Sequence, residues 1–176
     1  VKLPHPLPQP RRGPFDPAPA GKLSRALPAL TVMSGSLVTI WPVIANIPVL
    51  PPIGLLMLLG WRLMRSDNFY IWAALPLGLF DDLLSGQPLG SSMLLWTLCF
   101  FAIDLIEQRL MFRDFWQDWL IASGAISFCL IVGRYFATPI AAHVDTLLLM
   151  QAIISIMSFP IVARLCAWLD GKRESA

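Results

Sequence analysis

The sequence predicts an all-α polytopic transmembrane bundle of about six helices, and three observations predict it. Hydrophobic residues make up 56% of the 176 residues, charged residues only 14%, and the mean hydropathy is +0.66. A soluble domain usually carries about a quarter charged residues, and a chain this apolar could not cover a water-facing surface with polar groups. Apolar stretches then recur at 28–47, 50–64, 69–84, 91–106, 119–138 and 146–168. Finally, basic residues divide unevenly between the intervening loops. At roughly 20 residues per crossing, six helices leave no room for a separate catalytic domain.

Residues 1–25 stand apart from the rest. Pro4, Pro6, Pro8, Pro10, Pro14, Pro17 and Pro19 are spaced among Lys2, Arg11, Arg12, Lys22 and Arg25. Proline at this density prevents helix and sheet, so a disordered or polyproline-II-like basic cytoplasmic tail is expected. It lacks the short apolar core and small-residue cleavage site of a signal peptide. The transmembrane domain is expected over 26–170, with a short cytoplasmic tail at 171–176. Pro51 and Pro52 open the second segment, and Arg62, Arg65, Ser66, Asp67 and Asn68 separate it from the third. Both are short for a crossing at ~1.5 Å rise per residue. Two crossings or a re-entrant hairpin would fit.

The positive-inside rule orients the bundle. Six crossings from a cytoplasmic N-terminus put Arg62, Arg65, Arg109, Arg113, Arg164, Lys172 and Arg173 on the inner side with the N-tail. The outer loops near 47–51, 85–91 and 139–145 contain no Lys or Arg, and of thirteen basic residues only Arg134 breaks the pattern. Both termini are therefore expected in the cytoplasm. Trp61, Trp72, Trp116, Trp119 and Trp168 fall near the same interface, where amphipathic rings are favoured. Phe112, Phe115, Trp116 and Trp119 recur at i, i+3, i+4, i+7, interleaved with Glu107, Arg113, Asp114, Gln117 and Asp118. That pattern fits a short interfacial helix, or simply the ends of helices four and five.

The most informative stretch runs from Leu75 to Gly90. Gly78, Asp82 and Gly86 are four apart and form one stripe on a helix, with Asp81 about 100° away. Glycines flanking a carboxylate let another backbone approach and offer donors to it. Ser85, Gly86, Pro88 and Gly90 supply a tight turn. An acidic helix end followed by an ordinary turn fits the same spacing. The pattern Gly78, Asp82, Ser85, Gly86, Leu89, Gly90, after a short proline-initiated apolar segment, resembles the bacterial rod-shape-determining MreD family. The resemblance extends to chain length and the number of apolar segments, and covers roughly 28–170. Asp82 takes the family's acidic position, Asp81 stands where an apolar residue is more usual, and the proline-rich tail lies outside the pattern.

That resemblance implies a non-enzymatic scaffold of the cell-elongation machinery in the bacterial inner membrane. It implies partners: an MreC-like membrane-anchored protein, an MreB-like filament, and the glycosyltransferase and transpeptidase of lateral peptidoglycan synthesis. It also implies a fold similar to the six-helix substrate-binding components of vitamin transporters. No cofactor, metal or nucleic-acid partner is expected.

Other polar residues carry smaller expectations. Arg134 lies deep in the fifth segment, where a charge costs several kcal/mol unless paired, hydrated or snorkelling. It either snorkels to the outer boundary or pairs with Asp82 or Asp81. Asp104 is solvated at the inner interface or meets Arg109 or a partner. His5 and His143 lack neighbours at metal-ligand spacing. Cys99, Cys129 and Cys166 lie in apolar segments without CxxC spacing and read as small buried residues. The Ala122-Ser123-Gly124-Ala125 run with Ser127, and the Gly78/Gly86 stripe, are candidate docking or packing surfaces.

Two other function classes compete with a scaffold. A small-molecule carrier could exploit helix-breaking Pro42, Pro76 and Pro160, but the helix centres carry few polar groups for a ligand. A membrane enzyme could use Asp81 and Asp82 as an acidic pair, yet the outer side adds only Asp145, His143 and Arg134. A phosphate-processing site normally needs more.

Overall fold

Among the described residues the chain forms six α-helices and no strand. The computed structural model describes residues 22–38, 50–65, 69, 71–86, 88–109, 114–137 and 145–174. The helices are α1 (Lys22–Val38), α2 (Ile53–Met64), α3 (Ala74–Ser85), α4 (Ser91–Glu107), α5 (Phe115–Ala137) and α6 (Asp145–Glu174), with a 3-10 turn at Ile71–Ala73 before α3. Expectations for residues 1–21, His5, Pro42, 66–68, Phe112, Arg113 and His143 lie outside the described residues.

Helix ends follow local chemistry. Pro52 precedes α2, and its carbonyl accepts from Leu56 N at 3.0 Å. Asp114 precedes α5, and its carbonyl accepts from Gln117 N and Asp118 N. Phe115, Trp116 and Trp119 therefore belong to the first turns of α5 rather than to a separate interfacial helix. Two boundaries of the expected tails move. The proline-free stretch from Lys22 to Leu27 is helical, so α1 begins inside the segment expected to be disordered. At the other end, α6 runs to Glu174 and absorbs most of the expected C-tail. Asp170 near that end is held by Arg65, whose Nε lies 3.1 Å from Asp170 Oδ2.

The helices differ sharply in burial. In α2, every residue from Gly54 to Leu63 is buried, as expected of a helix apolar all round and enclosed by protein. It packs on α1 and α6 and touches α5, whereas α3 packs on α4 and α1. The main neighbours of α2 and α3 are different helices, and the two meet where Gly54 lies beside Asp81. At 12 residues α2 rises only ~18 Å, less than a ~30 Å hydrocarbon core. Its ends can stop short because other helices, not lipid, surround it. By contrast α5 and α6 are long and apolar enough to cross a membrane. They turn Phe128, Ile131, Tyr135, Leu149, Ile153 and Ile161 outward. This is an apolar exterior around a packed interior.

Contacts between helix ends show that successive helices alternate in direction. The end of α1, the start of α2, the end of α3 and the start of α4 meet at one end of the bundle, through Ser36, Gly54, Asp81, Asp82 and Ser92. The ends of α2, α4 and α6 carry the ion pairs of the opposite end, through Arg62 with Asp104 and Glu107, and Arg65 with Asp170.

Candidate functional site

The candidate site is the corner between α3 and α4. Gly86 ends α3 at φ 67° and Gly90 precedes α4 at φ 96°. Both positions demand the left-handed backbone that glycine adopts without steric cost. The chain therefore reverses within a few residues. Gly78 serves a different purpose. A Cβ there would fall 2.6 Å from Met93 Cα and 2.7 Å from Met93 N. The α3 backbone lies directly against the first turn of α4, and only a glycine permits the approach.

That approach delivers Asp82 to the start of α4. Gly90 N and Ser92 N donate to its two oxygens at 2.8 Å each, Ser91 Oγ donates at 3.1 Å, and Met93 N donates at 3.3 Å. The first N–H groups of a helix have no intrahelical acceptors. A carboxylate there satisfies them and meets the positive end of the helix dipole. Asp82 is 1% exposed, and this ring of donors satisfies its carboxyl oxygens. The donors to Asp82 come from the start of α4 itself, through its N-terminal N–H groups and Ser91 Oγ.

Asp81 points into another junction. Its Oδ1 accepts from Ser36 Oγ at 2.7 Å, tying α3 to α1. Gly54 of α2 is wedged beside them: a Cβ there would lie 2.3 Å from Ser36 Oγ and 3.3 Å from Asp81 Oδ1. Neighbouring Gly35 is close as well: a Cβ there would lie 3.2 Å from Gly54 N. Asp82 thus fastens α3 to α4, whereas Asp81 joins α3 to α1 and α2 and also meets Ser92 of α4. The rest of the motif faces outward. Ser85 and Gly86 are exposed, and Leu89 is 72% exposed.

A family model described as rod shape-determining protein MreD matches residues 27–169. The chain belongs to the MreD family. No curated protein and no solved structure matches it. The MreD match reaches into all six described helices, beginning inside α1 at residue 27 and stopping before the end of α6. This MreD protein is an integral membrane protein of rod-shape determination.

The opposite end of this MreD bundle holds a second polar centre. Arg62 is 3% exposed and pairs with Asp104 and with Glu107, whose Oε2 lies 3.1 Å from the guanidinium. The guanidinium also sits 5.8 Å from the Phe100 ring centroid, within cation–π range. Asp104, expected to be solvated or to meet Arg109 or a partner, is partly exposed and meets an arginine of α2. The sequence did carry a signal. Arg62 closes α2 and Asp104 nearly closes α4, and helices two apart run the same way, so both reach the same depth.

Trp61 departs from the expected interfacial belt. It is fully buried, and its Nε1 donates to Thr31 Oγ1 at 2.8 Å. A tryptophan inside a protein needs such a partner. Trp72, Trp116 and Trp168 are exposed. Among the described residues, no group of three or more His, Cys, Asp or Glu side chains gathers to hold a metal. In the small-residue run, Ala122 is core, Ser123 Oγ donates back to Trp119 O at 2.7 Å, and Gly124 faces open space.

Proposed function

We propose that this chain is a non-enzymatic scaffold of the bacterial cell-elongation machinery, held in the inner membrane with both termini in the cytoplasm. Family membership over residues 27–169 is the observation that carries the reading. The use of Asp81 and Asp82 supports it. Among the described residues, the acidic pair at that end is spent on Ser36 and on the first turn of α4. The scaffold docks an MreC-like membrane-anchored protein, an MreB-like filament, and the glycosyltransferase and transpeptidase that extend the lateral wall. Exposed Ser85 and Leu89, on the corner that Asp82 and Gly78 make rigid, provide an outer docking edge. The basic tail adds affinity for anionic lipids, at about 1 kcal/mol per basic residue near the surface.

The carrier reading, with a fold like the vitamin-transporter components, gains no observation in its favour. The groove between α4 and α5 is lined by apolar side chains such as Leu98, Phe101 and Ile121, which offer a polar vitamin no recognition. Depletion in the native bacterium, read as cell shape and lateral wall synthesis, tests the scaffold. Depleted cells round up. Cells that keep their rod form and wall incorporation sink the proposal.

A further inference from the structure

Cys99 of α4 and Cys129 of α5 bring their Sγ atoms to 3.4 Å, and both are free buried thiols. The third cysteine lies elsewhere: Cys166 packs on α2, with its Sγ 3.7 Å from Met57 Sδ. A disulfide needs its sulfurs at about 2.05 Å, so closing the pair takes a movement of roughly 1.3 Å. Small rotations of two side chains on neighbouring helices can provide that. Two cysteines thirty residues apart in apolar segments carry no such signal in the sequence. The pairing comes from the way α4 and α5 face each other.

Access is the second consideration. A groove of ≈ 590 Å³ runs between α4 and α5 and is lined by Cys99 itself, with Leu98, Ile103, Ile121, Ala125 and Phe128. Phe101, Leu120 and Phe128 on this face are exposed, so the groove opens onto the apolar exterior of the bundle. A charged, water-soluble thiol reagent is not stable in such surroundings. A flat lipophilic oxidant dissolved in the bilayer is.

We propose that Cys99 and Cys129 are a redox pair that a membrane-dissolved quinone oxidises to an intramolecular disulfide between α4 and α5. Both S–H bonds break and one S–S bond forms. The two electrons and two protons released reduce the quinone to its hydroquinone. The product ties α4 covalently to α5 beside the groove. Cys166 takes no part, because its sulfur neighbour is a thioether. This inference does not depend on the elongation reading.

The full chain in lipid nanodiscs is incubated with a short-chain ubiquinone analogue, denatured in acid and labelled with N-ethylmaleimide. Intact mass then counts the free thiols. Labelling falls from three sites to one, and peptide mapping joins the Cys99 peptide to the Cys129 peptide. In Cys99→Ala, two sites are labelled with or without the quinone. Three labels in the parent chain after quinone treatment overturn the proposal, and so does an equal loss of labels in Cys99→Ala. Glutathione disulfide at the same concentration leaves three labels. Oxidation by it as fast as by the quinone overturns the membrane route.

Discussion

Asp82 is a buried carboxylate whose partners all come from one helix end. Hydrogen bonds to a charged group contribute roughly 1.5–3 kcal/mol, and the dipole of α4 adds to them. Asp82→Asn keeps the shape but loses the charge and turns an amide NH2 toward backbone donors. It should destabilise the fold by roughly 2–3 kcal/mol, read as a lower melting temperature of the purified protein in detergent. Gly78 and Gly124 make a matched comparison. Gly78→Ala places a methyl 2.6 Å from Met93 Cα, so α3 and α4 must separate and the melting temperature should fall markedly. Gly124→Ala meets nothing within 4 Å. Helix propensity alone should then raise stability, by up to about 1 kcal/mol.

At the scale of elements, α2 decides how the others are arranged. It is a short helix with lipid on no side, and the groups that anchor it are polar ones at its two ends. Gly54 sits against Ser36 at one end, and Arg62 and Arg65 bind acids of α4 and α6 at the other. Gly60 between them packs against Cys166 of α6. Removing the Arg62 charge strands Asp104 and Glu107 beside each other. Breaking a buried pair in this way costs about 3–5 kcal/mol. Arg62→Met should therefore lower the melting temperature more than Asp104→Asn, since Glu107 still holds the guanidinium in the latter. Arg62→Lys should restore only part of the loss, because a lysine cannot fork between two carboxylates. Equal effects of Arg62→Met and Asp104→Asn would show that Glu107 contributes nothing.

At the scale of the whole molecule, the contacts define two polar ends and an alternating sequence of helices between them. Charge supports the proposed orientation. Arg62 and Arg65, with the Lys172 end of α6, lie together at one end, whereas the Asp81 and Asp82 end brings together serines, glycines and two acids. Loops rich in lysine and arginine are retained in the cytoplasm, so the Arg62 end should be inside. Reporter fusions after Asp67 and Gln117 should report cytoplasm, and one after Gln87 should report the outside. A cytoplasmic signal at Gln87 would refute this orientation and, with it, Ser85 and Leu89 as an outer docking edge.

Composition alone determined that the chain is an all-helical membrane protein, and segment lengths with the Gly78–Gly90 spacing pointed to the family that the match over 27–169 establishes. These properties are one-dimensional. The bilayer demands a certain apolar length, and a left-handed turn demands glycine, whatever the neighbours. The tertiary structure decided the rest: that α2 is the enclosed helix, that Trp61 bonds inside to Thr31, and that Arg62 reaches Asp104. It also decided that Asp82 serves the first turn of α4 and that Cys99 meets Cys129. Each of these depends on how a helix is rotated about its axis. In a water-soluble helix the apolar stripe announces that rotation. Here lipid-facing and core-facing sides are both apolar, so the sequence carries no inward stripe, and only packing selects which residues meet.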